Sequence, residues 1–222
     1  MQDNMSTLQY DAYRDIFHRI MTLEFKPGEK INEKNLIVEL GVSRTPIREA
    51  LLKLRNDGLI RTVPQSGTYV SKINLSMAEQ GMYARRTIEQ QIFAQSIEMV
   101  TEEDINELQK LIDAGRELEG TTQFDLFFKQ DEMFHRKVYE ITDHLQIWEW
   151  VEDFTKHLIR FRWLRLKVLT LSWDLLTQAH QRILDAIKAK DTDQLIELIH
   201  THEELMLKEK DDVIAEYSDY FE

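Results

Sequence analysis

Two sets of residues in this 222-residue chain could do chemistry. Asp131 and His135 stand four apart in a segment of helical pattern, so both project from one face. His180 and His202 each lie 11 residues from Asp191, where the pattern places a turn between two helices. In an antiparallel hairpin those two histidines would stand level. A third helix bringing Asp131 and His135 to that level would complete an Asp/His/His/His set. Imidazole and carboxylate donors without thiolate suit zinc, and also nickel, manganese or iron. The second set is Arg44 and Arg48, also four apart, on a face of their helix different from the one carrying Ile47, Leu51 and Leu54. An arginine fork can donate two hydrogen bonds to guanine O6 and N7.

The elements around each set follow from local signals. Ser43 is a good N-cap for the arginine helix, and Pro46 falls in its first turn, where backbone N–H groups lack intrahelical partners. Residues 8–23 read as a helix with Tyr13, Ile16, Phe17 and Ile20 on one stripe. Pro27-Gly28 breaks the chain. Asn32 caps a second helix that runs to Leu40 and ends at Gly41. The third helix spans Ser43 to Asp57 and stops at Gly58. Leu59–Val63 and Thr68–Ser71 read as strands joined by a turn at Pro64-Gln65-Ser66-Gly67. Three helices and a β-hairpin make a winged helix-turn-helix, which offers its last helix to a DNA major groove.

Lys72–Leu75 reads as a linker, followed by a capping-box signature at Ser76 and Glu79. Beyond it the pattern is helical throughout, over about 76–100, 102–119, 122–142, 145–167, 172–190 and 192–217, with Thr101, Ser172 and Thr192 as caps. The expected fold is mainly α: a winged helix-turn-helix over residues 1–74 and an all-α bundle of about six helices over residues 75–222.

Charge divides at the same place. The chain carries a net charge of −12. Residues 1–74 hold 11 basic and 9 acidic side chains, a net of +2, and the remainder is at −14. A basic module on an acidic one fits nucleic-acid binding by the first alone. No apolar run approaches the roughly 18 residues of a membrane span. Met1-Gln2-Asp3-Asn4 shows neither region of a secretory leader. There is no cysteine, which removes disulfides and thiolate metal sites. A cytoplasmic protein with no membrane partner is expected.

The ordered set Leu40-Gly41-Val42-Ser43-Arg44-Thr45-Pro46-Ile47-Arg48-Glu49-Ala50-Leu51, then Leu54, Gly58-Leu59-Ile60 and Gly67-Thr68-Tyr69-Val70, resembles the GntR family of bacterial transcription regulators. The rest resembles its branch with an all-helical, FadR-type (FCD) domain. There the signature is Arg85-Arg86-Thr87-Ile88-Glu89, Asp131-Glu132-Met133-Phe134-His135, His180-Gln181-Arg182-Ile183-Leu184-Asp185-Ala186-Ile187, Asp191 and His202. The resemblance implies a homodimer that binds a palindromic double-stranded operator and responds to a small metabolite held by the helical domain. It implies that Arg44 and Arg48 reach bases and that Ser43 and Thr45 hold phosphates or base edges. Lys34, where the family often has arginine, would keep a phosphate contact. Gln65, Ser66 and Gly67 would lie near the minor groove. Asp131, His135, His180 and His202 match the family's metal motif.

A four-ligand metal that is five- or six-coordinate leaves positions for a carboxylate or hydroxy-acid effector. Arg85 or Arg86 is the first candidate to bind its remaining charge. Arg160, Arg162 and Arg165 come next, although with Phe161 and Trp163 they read more readily as a basic solvated face. His144 could cap a helix or contact the effector, and His18, His157 and His200 read as surface or satisfied core residues. Two other function classes stay open. An Asp/His metal site could belong to a hydrolase or oxygenase, but the chain has no nucleophile motif, HExxH or phosphate loop. The metal could instead be purely structural, or itself the signal.

Overall fold

The structure, a computed structural model, describes residues 6–222. Residues 1–4, read above for the lack of a leader, lie outside the described residues. The chain divides into two compact units, one ending at Asn74 but joined by Tyr217–Glu222, the other running from Leu75 to Glu216.

In the first unit, α1 (Thr7–Met21) buries Ala12, Ile16 and Ile20 at four-residue spacing and packs on α3 (Arg44–Asn56), which buries Ile47, Ala50 and Leu54. Between them α2 (Glu33–Leu40) is capped by Asn32, whose side chain accepts from the Lys34 and Asn35 amides, and ends at left-handed Gly41. Ser43 has N-cap backbone geometry, but its side chain makes no capping hydrogen bond. The wing is an antiparallel hairpin of β2 (Ile60–Val63) and β3 (Gly67–Val70). A further strand, β1 (Lys30–Ile31), pairs with the other side of β3, Lys30 opposite Tyr69. Two residues have no periodicity to read, which is why the sequence pattern passes over it. Gly67 is required here: its φ is +136°, and a Cβ would lie 2.7 Å from Lys30 Cε.

Two expectations change at the end of this unit. Ile73, placed in a linker, donates its amide to the Tyr220 carbonyl and accepts from the Glu222 amide. The last six residues therefore group with the N-terminal unit rather than with the helical one.

Among the described residues the second unit holds eight helices, not about six: α4 (Leu75–Met99), α5 (Glu102–Glu117), α6 (Phe124–Ile141), α7 (Leu145–Phe154), α8 (Lys156–Lys167), α9 (Asp174–Ala189), α10 (Thr192–Glu203) and α11 (Leu205–Tyr217). The segments expected as 145–167 and 192–217 each break once, at Thr155 and Glu204. At the first break the Thr155 hydroxyl donates to the Val151 carbonyl, a back-bond that bends helices without a Pro or Gly signal. Helix α4 packs against α8 and α10, and α5 packs against α6 and α9. The core between them is built from residues such as Phe93, Phe134, Val138, Ile183 and Ile199. Ser76 does not cap α4, which already starts at Leu75; its hydroxyl accepts from Gln80. Thr101 caps α5 as expected. The caps expected at Ser172 and Thr192 fall one residue later, at Trp173, and one earlier, at Asp191.

Candidate DNA-reading face and metal centre

On the first unit, Lys34, Ser43, Arg44, Thr45 and Arg48 are all exposed around the start of α3. The two arginines converge on one atom, Glu33 Oε1, with Arg44 Nε at 2.6 Å and Arg48 Nε at 3.3 Å. The Arg44 hydrogen bond, helped by the Arg48 charge, holds the Glu33 carboxyl below its usual range. Beside them an open groove of about 650 Å³ is lined by Lys30, Lys34 and Arg44. In the wing turn, Gln65 and Ser66 are exposed and Gln65 takes a positive φ of 62°. The Ser66 hydroxyl lies 2.6 Å from the Tyr69 hydroxyl. The face therefore presents rigidly based cations beside one carboxylate that competes for them.

On the second unit, α6 carries Asp131 and His135, α9 carries His180 and α10 carries His202. The α9–α10 hairpin turns through left-handed Lys190, and Asp191 caps α10 by accepting from the Gln194 amide. All four side chains are buried. His135 Nε2 lies 3.2 Å from His202 Nε2, and His180 Nε2 lies 3.3 Å from each of them. Asp131 Oδ1 is 3.6 Å from His180 Nε2. One ligand atom from each residue fits within 4.8 Å of the others. Zinc–nitrogen bonds of about 2.0–2.1 Å set nitrogens about 3.3–3.4 Å apart in a tetrahedron, so the three nitrogens already stand at ligand spacing.

The electrostatics agree with that fit. Buried Asp131 Oδ1 and His202 Nδ1 have no hydrogen-bond partner in the chain. Burial pushes the His135 and His202 rings well below the ordinary histidine range and His180 down to about 4, so all three offer neutral nitrogens. Burial works against the charge of Asp131, but the Arg162 guanidinium opposes it and the carboxyl is held well below the usual range. His135 Nδ1 is 2.8 Å from Glu89 Oε2. A proton on that Nδ1 leaves the Nε2 lone pair facing the cluster.

The arginines divide differently from expectation. Arg85 is fully buried, bonded to Glu89 and Glu132 and 3.6 Å from Glu203. Arg86 pairs with Glu204 and His200. Neither lines the cavity of about 50 Å³ that touches Asp131 and His202; Arg162 and Arg165 do. The solvated-face reading of α8 is overturned: Arg160, Phe161, Trp163 and Arg165 are buried because both sides of α8 are covered. Arg162 bonds Asp131 and Glu132, and Arg165 makes a two-point pair with Glu209. His144 sits at the N-cap position of α7 without a side-chain cap bond. Sequence reasoning missed Glu33 and Glu89. The signals for Glu89 are its place at the end of the Arg85-to-Glu89 signature and its four-residue spacing from Arg85 on a helix, and nothing local points to Glu33.

Comparison with known proteins reaches both units. Residues 8–70 match the model described as bacterial regulatory proteins, gntR family, and residues 82–205 match the FCD domain model. The HTH-type transcriptional repressor RspR of Escherichia coli K12 is 29% identical over 208 residues, covering 94% of this chain and 89% of its own. Two solved structures share the fold at a TM-score of 0.75. McbR/YncC of E. coli is 22% identical, and a putative GntR regulator of Rhodococcus sp. RHA1 is 18% identical. Each alignment covers 96% of this chain and 100% of the other.

Proposed function

The chain belongs to the GntR family of bacterial regulatory proteins, with an FCD domain, and is a DNA-binding transcription regulator rather than an enzyme; from that premise we propose that Asp131, His135, His180 and His202 hold a divalent metal that helps bind a small organic acid, and that this acid alters operator affinity. The observation that carries the reading is the set of three imidazole nitrogens 3.2–3.3 Å apart beside an unpartnered carboxylate oxygen. The donor set suits zinc, with nickel, manganese or iron as alternatives. A bound metal supplies a Lewis-acid centre for a carboxylate oxygen. Glu89 fixes the His135 tautomer, and Arg162 balances the charge of Asp131.

On the DNA side, Arg44 and Arg48 leave Glu33 to read base edges in the major groove. Lys34, Ser43 and Thr45 hold backbone, and the wing at Gln65, Ser66 and Gly67 approaches the minor groove. Phosphate contacts supply affinity and the two arginines supply specificity. A homodimer would pair two such faces with a palindromic operator.

The deciding experiment is metal analysis of untagged protein alongside Asp131→Ala, His135→Ala, His180→Ala and His202→Ala. About one metal per chain, lost in each variant, is expected; no uptake from zinc, nickel or manganese would end the metal reading. Arg44→Ala tests the other half and should lose roughly 1–3 kcal/mol of specific operator binding. Unchanged affinity would remove Arg44 from base reading.

A further inference from the structure

The small sheet of the first unit puts two cations in one row. Lys30 of β1 stands opposite Tyr69 of β3, and Arg61 of β2 stands opposite Tyr69 from the other side. Residues directly opposite in a ladder share a face, so all three lie on one side of the sheet. It is the outer side: Ile60 and Val70, one position along their strands, are buried, while Lys30 and Arg61 are exposed. The Tyr69 ring stands beside both charges, its centroid 5.9 Å from Lys30 Nζ and 5.8 Å from the Arg61 guanidinium carbon.

Two observations set Lys30 apart from an ordinary solvated lysine. Its stem crosses the wing turn, where a Cβ on Gly67 would meet Lys30 Cε at 2.7 Å and Nζ at 3.3 Å. It also lines the open groove that Lys34 and Arg44 line. Lys30 therefore reaches from the groove beside α3 to the turn of the wing. Arg19, Arg44 and Arg48 of the same unit are each held by a carboxylate. Among the described residues Lys30 and Arg61 have no carboxylate partner, which leaves both for an anion from outside. Adjacent strands stand about 4.8 Å apart, so the two backbones are about 10 Å apart across β3. A DNA strand advances about 3.4 Å along its axis per phosphate. Cations at that separation meet different phosphates of one strand.

We propose that the outer face of the wing sheet is a further DNA-binding surface, on which Lys30 and Arg61 hold separate phosphates of the backbone beside the stretch read by α3. This rests on the DNA-reading face described above and adds to it a surface that neither α3 nor the wing turn includes.

The test is fluorescence anisotropy of the full-length protein on two labelled duplexes, one selected by the native protein from a random-sequence pool and one of scrambled order, from about 50 to about 200 mM salt. Lys30→Gln and Arg61→Gln change exposed side chains, so folding should survive. Each should weaken binding to both duplexes by the same factor, because a phosphate contact carries no sequence information. Each should also lower the slope of log affinity against log salt by about 0.9 per bound chain, so that the native protein's advantage shrinks about 3.5-fold across that range. Lys30→Arg and Arg61→Lys keep the charge and should keep the slope. Lys110→Gln, at an exposed lysine of the helical unit, should also keep it. An unchanged slope in either glutamine variant at the wing, a loss confined to the selected duplex, an equal loss in Lys110→Gln, or a lost slope in the charge-keeping variants would each overturn the proposal. Failure of the α3 reading shows separately, as an Arg44→Ala protein that still prefers the selected duplex; the slopes of the wing variants then still decide.

Discussion

At the scale of single residues, the side chains behind the cluster set its properties as much as the ligands do. Glu89 holds His135 through Nδ1 and is itself held by Arg85. Glu89→Gln removes the charge that favours the metal-facing lone pair. It should weaken metal binding about 10–100-fold, with all four ligands still present; competition against a chelator of known affinity would read this, and unchanged affinity would leave Glu89 as a structural ion-pair partner only. The histidines also make a prediction about pH. His180 titrates near 4 in the fold and near 6.5 in an unfolded chain. Between those values the unfolded state binds the extra proton. The contribution of His180 to the stability of metal-free protein is therefore greatest above pH 6.5, falls as pH drops toward 4, and changes no further below that. The shift corresponds to about 3 kcal/mol at most for His180. Urea unfolding of metal-free protein at pH 7.5 and 5 isolates this contribution by comparison with His180→Gln: going to pH 5 should cost the native protein more than the variant, since buried Glu203 and Glu152, with carboxyls pushed up to about 8 and about 7, act in the opposite direction in both; equal pH dependence in the two proteins would contradict it.

At the scale of elements, the α9–α10 hairpin is the device that makes the histidines meet. Its register is pinned where Lys190 takes a left-handed conformation and Asp191 caps the next helix. Asp191→Ala should cost about 1 kcal/mol in stability. It should also lower metal affinity, because fraying of the first turn of α10 loosens the element that carries His202; metal affinity equal to the native protein's would show that the hairpin is held by its core contacts alone. This hairpin was legible in the sequence because equal spacing about Asp191 is a local pattern. So were the helices of the first unit, which Asn32, Gly41 and Gly58 punctuate. The break at Thr155 was not, since the threonine back-bond carries no Pro or Gly mark. Burial of Arg160 and Arg165 was not legible either, because it depends on helices distant in sequence covering both faces of α8. Glu33 was hidden for the same reason: its role comes from two arginines 11 and 15 positions away.

At the scale of the whole molecule, the proposed acid site and the DNA-reading face would make two binding reactions on one chain, and their coupling would be a free energy between sites. An acid can shift operator affinity only to the extent that it binds the DNA-competent and DNA-free arrangements differently. The shift must run both ways. If saturating acid weakens operator binding by a given factor, saturating operator must weaken acid binding by that same factor. For a coupling of about 1–3 kcal/mol that factor is about 5–150, well within reach of calorimetry. The comparison should be made on metal-loaded protein at one salt concentration, because phosphate contacts make operator affinity strongly salt-dependent. Equal factors are expected in the native protein. In Arg44→Ala operator affinity should fall while the acid's affinity for free protein stays unchanged, since Arg44 lies on the unit that carries no part of the cluster. An acid that binds tightly yet leaves operator affinity untouched would make the cluster a binding site without a regulatory output, and the search for the signal would move to the metal itself.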